Sequence, residues 1–240
     1  MIQILKKEIN AFFSSLVGYI VLVIFLLAIG LFIWVFPDSN VLDYGYSSMD
    51  GFFYYTPFVF LFLIPAITMR SFAEEIKSGT IEILSTKPLT EIQIILGKFF
   101  AAVCIVIIAL IPTLIYMYSI NELGSPAGNL DFGAAWGSYI GLIFLSAAFA
   151  AIGNFASSLT SNQIVSFLIA VFLCFIFYSG FDSASGIFTA HATFIQSLGI
   201  NYHFQSISRG VVDTRDAVYF ISLIAIFVLL TKTSLESRKW

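Results

Sequence analysis

Six mostly apolar runs dictate what this chain can become. Each is near the roughly 20 residues with which an α-helix crosses the hydrocarbon core of a bilayer. They lie near 16–36, 52–69, 98–119, 135–157, 163–181 and 217–231, and none carries Asp, Glu, Lys, Arg or His well inside it. In lipid, backbone N–H and C=O groups have to be satisfied within the spanning segment, so this pattern predicts an all-α polytopic bundle of six transmembrane helices. The fifth run is short, and a tight hairpin, 158–162, joins it to the fourth. Composition agrees. Of 240 residues, 59% are hydrophobic and 10% charged, at a mean hydropathy of +0.97. A soluble domain carries about 25% charged residues, so this chain has too few to coat a globule in water.

The net charge of −3 offers no basic footprint for nucleic acid. Cys104 and Cys174 both fall inside apolar runs and read as packing residues rather than a disulfide. Lys6 and Lys7 precede the first run in the manner of a signal peptide. That run is too long for a signal core and no small-x-small cleavage site follows it, so it is expected to stay as a retained span.

Basic residues set the orientation. Six spans place both termini, 70–98 and 158–162 on one side. That side holds Lys6, Lys7, Arg70, Lys77, Lys87, Lys98, Lys232, Arg238 and Lys239, and the other holds only Arg209 and Arg215. Both termini are therefore expected in the cytoplasm, with the chain in a bacterial inner (plasma) membrane. The outer loops carry Asp38, Asp43, Asp50, Glu122 and Asp131. Before the first span, Ile2, Leu5, Ile9, Phe12 and Phe13 recur at helical spacing while Gln3, Lys6, Lys7 and Asn10 face elsewhere. Residues 1–15 thus read as an amphipathic helix in the membrane interface, or else as a frayed positively charged tail.

Uncharged spans count against a stand-alone ion-coupled carrier, which needs ionisable groups near the midplane. Asn154 and Gln163 are the main strongly polar side chains near membrane depth and read as helix–helix glue. Gly137, Gly141, Ser146, Ala150, Gly153 and Ser157 stripe the fourth span, for close packing within the chain or against another subunit. Pro65 and Pro112 should kink the second and third spans. No P-loop is present, since Gly97-Lys98 lacks the upstream glycine and the following Ser or Thr. His191 and His203, in the outer segment, have no nearby ligand set. Catalytic, cofactor and metal residues are accordingly expected to be none.

The densest charge lies in 70–98, RSFAEEIKSGTIEILSTKPLTEIQIILGK. The second span should stay helical to about Lys77, break at Ser78-Gly79, and restart at Thr80 with Glu82 near the positive end of a new helix. Pro88 ends that piece, and Thr90 with Gln93 forms a capping box for the next helix. On residues alone, this is either a short helix held between two breaks or a solvated connector with ordinary caps.

Here the sequence resembles the permease subunits of type-2 ABC exporters, whose second and third spans are joined by an E-rich, G-T-[IL]-E-x-L, Pro, G-K pattern. Glu74, Glu75, Gly79, Thr80, Glu82, Leu84, Pro88, Gly97 and Lys98 fit it in order. The resemblance implies that 74–88 is a coupling helix docking on a separate ABC ATP-binding subunit, which would bind the ATP. It implies too that 1–15 is the family's connecting helix, that 1–240 is one permease domain, and that a second permease chain, identical or homologous, faces this one. The stretch from SLGINYHFQSISRGVVD to LESRKW is similar to the branch containing the gliding-motility-associated permease subunit of Bacteroidetes, near permeases for nitrous-oxide-reductase maturation and for sodium and drug export. Segment 182–216 is too apolar for a wet loop and prefers the interface, and the family likeness suggests re-entrant or interfacial helices there. Two functions fit: an exporter permease, or a non-transporting membrane component of an ATP-driven envelope or motility machine.

Overall fold

In the computed structural model, residues 1–37, 39–43, 46–80, 90–187, 191–211 and 213–237 are described. The fold is 83% helix, with no strand among those residues. Helix α1, Ile2–Phe13, leads at Ser15 into the first span, α2, Leu16–Trp34. The Ser15 hydroxyl caps the turn by accepting from the Gly18 N–H. The second span joins α3, Asp50–Thr68, to α4, Ala73–Lys77. The third joins α5, Glu91–Leu110, through a 3-10 turn at Ile111–Thr113, to α6, Leu114–Leu123. The fourth span is α7, Phe132–Leu159, and the fifth begins as α8, Gln163–Phe175. A π-turn at Ile176–Gly180 and α9, Phe181–Ile187, continue the fifth. Two short helices, α10, Ala192–Gln196, and α11, Ile200–Ile207, precede the sixth span, α12, Thr214–Glu236. Among the described residues, six helices are long and apolar enough to cross a membrane.

Prolines mark the third span as the sequence predicts. Pro112 cannot donate to the ladder, and the helix tightens to the 3-10 turn around it. In the second span, α3 runs on through both Pro57 and Pro65.

The fourth span is the axis of the bundle. Its most apolar window is 72% buried, against 22% for the first and fifth spans and 28% for the sixth. Its small residues explain this. Gly153 lies so close to Thr68 of α3 that a Cβ there would collide with the Thr68 hydroxyl. Ser146, Ala150 and Ser157 are fully buried. The small-residue stripe therefore packs within this chain, bringing the second span and the 200–210 segment against α7. Phe25, Phe52, Phe60, Phe149 and Phe220 fill the spaces between spans. The outer faces keep Val23, Ile24, Leu27, Leu168, Phe172, Val218 and Ile221 exposed, the surface that lipid solvates.

One end of the bundle gathers both terminal segments: Ile4, Phe72, Ile94 and Ile95 form a second apolar cluster, with Ile76, Val228 and Leu235 packed against it. This is the terminal end. The opposite, distal end carries α9 to α11. Helix α1 turns its apolar side onto the bundle, with Ile4 buried and Ile9, Phe12 and Phe13 packed against the core. Both cysteines are free thiols.

Candidate functional site

At the terminal end, four charged side chains from three distant parts of the chain converge. Gly97 makes this possible, because a Cβ there would sit 3.0 Å from Ile4, and its absence lets α1 lie directly on α5. The next residue, Lys98, is then sealed, with 3% of its surface exposed. Its Nζ donates to Glu8 Oε1 at 2.9 Å and to the Ser71 carbonyl at 2.6 Å, and stands 3.0 Å from Glu75 Oε1. An ammonium has three protons to donate; two go to Glu8 and Ser71, and the Glu75 carboxylate adds an ion pair. It also lies 5.1 Å from the centre of the Phe72 ring.

Lys7 adds the second cation, 2.9 Å from Glu75 Oε1 and 3.6 Å from Glu8 Oε1. Burial alone would lower the Lys7 ammonium's pKa. The hydrogen bond and charge of Glu75, with Glu8 adding to them, outweigh it and carry that pKa above its ordinary 10.5. Two cations and two carboxylates thus cancel in charge, which offsets part of the cost of taking them out of water. The backbone is fixed beside them by Ser157 of the fourth span, whose hydroxyl accepts from the Phe72 and Ala73 N–H groups and donates to the Met69 carbonyl. Ser157 supplies the interhelical glue expected of Asn154, whose amide nitrogen and oxygen are both buried without a protein partner.

Of the coupling residues read from the sequence, Glu75 is inside this cluster and Glu74 is exposed on the same α4 turn. Ser78 ends α4, and Gly79 takes φ +69°, a left-handed conformation that glycine adopts without strain. The Thr80 hydroxyl lies 2.9 Å from Ser78 Oγ and 3.5 Å from the Glu75 carbonyl, tying the start of the coupling segment back to α4. Glu82, Leu84 and Pro88 lie outside the described residues. The capping box is present on the far side: Thr90 Oγ1 accepts from the Gln93 N–H and Gln93 Oε1 from the Thr90 N–H.

Sequence reading missed Glu8 as a partner and treated Lys98 only as part of a pattern. The signal was there. Lys98 falls in register with Ile94, Ala101, Ala102 and Ile105, a buried face on which a charge requires a partner.

A second polar centre sits at the distal end. His203 Nδ1 is 2.6 Å from Asp216 Oδ1, and Nε2 is 2.9 Å from the Ser197 carbonyl. The Tyr219 ring stacks on the imidazole at 3.9 Å, and its hydroxyl donates to the Leu198 carbonyl at 2.7 Å. His203 had read as a loop histidine without ligands; here it fastens α11 and the end of α10 to the sixth span. No group of three or more His, Cys, Asp or Glu suited to a metal occurs among the described residues.

A bundle of six apolar helices that carry charge only towards their ends, with a terminal helix ion-paired to α4 and the third span, defines a polytopic membrane protein. The sequence pattern of the ABC-2 family transporter proteins matches residues 37–234. The chain belongs to that family, the membrane component of ABC transporters. No curated protein matches the chain significantly.

Proposed function

We propose that this chain is the permease subunit of an ABC exporter, driven by a separate ATP-binding subunit that docks on 74–88 from the cytoplasm. The observation that carries the proposal is the Lys98–Glu75–Glu8 cluster in a chain of this family. It makes α1, α4 and the third span one mechanical unit at the foot of the proposed docking segment. A push on 74–88 is then delivered to helices on both sides of it. Charge confined to the ends of the spans favours a pathway between two permease chains over one through a single bundle. Export, the inner-membrane setting and a role in gliding motility are supported by the likeness of 74–98 and of the C-terminal sequence to those permeases.

The test is co-purification of the ATP-binding subunit. Glu82→Arg is expected to abolish recovery, because reversing a charge in a desolvated contact costs about 2–5 kcal/mol. Gly79→Val is expected to do the same through its backbone, since a β-branched residue resists positive φ. Glu122→Arg, at the distal end, is the control. Equal recovery from all three variants, with normal membrane insertion, would reject 74–88 as the docking site.

A further inference from the structure

Beside the ion cluster lies a half-open cleft of about 370 Å³, between α1 and the terminal-end halves of the second, third and fourth spans. Small or aliphatic side chains, among them Ala66, Ile67 and Ile105, make up the apolar wall of its lining, and charged ones continue the same spans towards the terminal end. Lys7, Lys98, Glu8 and Glu75 pair with one another there through one oxygen of each acid, while Glu75 Oε2 and Ser71 Oγ are buried without a partner. Two charges remain uncommitted: Arg70 and Glu74 make no ion pair among the described residues, and Arg70 Nε is buried without a partner. Asn154 of the fourth span also lines the cleft, 1% exposed, with both amide atoms unpartnered. A buried amide without a partner is rare in a folded protein and marks a place where something else supplies the bonds.

The lining specifies its occupant. It asks for one anion, one cation, a donor–acceptor group between them and an apolar continuation, at the level of an amphipathic helix. We propose that the cleft is a binding site for one zwitterionic phospholipid. The lipid phosphate meets Arg70, its ammonium meets Glu74, and the glycerol esters bond the Asn154 amide. The acyl chains leave along Ile67 and Ile105. A single anion would leave Glu74 opposed to it, and a free amino acid or phosphoamine would leave the apolar wall uncovered. The site goes beyond the transport reading and does not depend on the ATP-binding subunit, so it is testable on the permease alone.

The experiment is native mass spectrometry of the full chain purified in mild detergent, with thermal melting after lipid is added back. The wild type is expected to retain one phospholipid per chain and to melt higher with phosphatidylethanolamine. Phosphatidylglycerol and free phosphoethanolamine are expected to give little shift. Asn154→Leu removes the central bonds, and Ala66→Leu fills the cleft from the apolar wall. Each is expected to lower lipid occupancy roughly tenfold, the loss of one to two hydrogen bonds or their equivalent in contact. The two act from different spans, so misfolding of one does not spoil the test. Wild type without bound lipid would make the cleft a water-filled cavity and overturn the proposal. So would unchanged occupancy in the well-folded variants. An equal shift from phosphatidylglycerol would overturn the zwitterion assignment, and an equal shift from phosphoethanolamine would overturn the lipid one.

Discussion

The two ends of the bundle each bury an ionic contact, but they are built differently. At the terminal end, two cations share two carboxylates, so each acid has a second cation within reach. At the distal end, His203 stands alone against Asp216; the second oxygen of that acid, Oδ2, is buried without a partner, as is Glu75 Oε2 at the terminal end. Both ring nitrogens of His203 face acceptors. The terminal cluster is redundant and joins residues far apart in sequence. The distal pair has no reserve and joins residues 13 apart. Redundancy suits the end where a partner is proposed to push, since one contact can lengthen there without leaving a buried charge alone.

The sharpest way to break this comparison is to remove one basic side chain from each end. His203→Phe keeps the ring stacked on Tyr219 but leaves Asp216, 4% exposed, with no cation. Stranding a buried charge costs about 3–5 kcal/mol, so this variant is expected to show the largest fall in melting temperature. His203→Phe combined with Asp216→Leu is expected to recover most of it, because the pair is then removed rather than broken. No recovery would mean that the imidazole matters for something other than this pair.

Lys98→Met is expected to cost less, about 2–3 kcal/mol, although Lys98 is the more buried cation. Lys7 remains 2.9 Å from Glu75 and 3.6 Å from Glu8, whose side chain is 23% exposed. Adding Glu8→Gln to Lys98→Met should restore part of the loss, and thermal melting of the four-member mutant cycle measures the coupling. A larger loss for Lys98→Met than for His203→Phe would show that Lys7 gives no reserve.

How much of this was legible in the sequence follows from the distance over which each feature acts. The spans announce themselves because hydropathy is local, and the capping box at Thr90 and the break at Gly79 are three- and two-residue signals. The stripe from Gly137 to Ser157 was visible, but its partner was not, since nothing in a one-dimensional pattern says which helix a glycine admits. Ion pairs across 68 and 90 residues are invisible for the same reason. Their charged members, though, betray themselves by register. His203 falls on the buried face with Ile200, Phe204 and Ile207, and Asp216 precedes Phe220, Leu223 and Phe227 by helical steps. A charge on an apolar face requires a partner, even when the sequence does not say which.

The smallest expected effect belongs to Lys7, and it tests the redundancy directly. Its side chain is 58% exposed, so solvent screens the pair and Lys7→Met is expected to cost no more than about 1 kcal/mol. Its sign with pH is fixed by the direction of the shift. Folding raises the Lys7 pKa above 10.5, chiefly through Glu75 and against the cost of burial. The folded protein therefore holds this proton more tightly than the unfolded chain. The stabilisation is complete below the unfolded pKa and is lost as pH rises through the higher folded one. The melting-temperature gap between wild type and Lys7→Met should stay constant across the neutral range and close only above about pH 10.5. A gap that closes near neutrality would place its origin in some group other than the Lys7 ammonium. A gap as large as that for Lys98→Met would make the two cations equal members of the cluster, and the terminal end would then have no spare contact to give up.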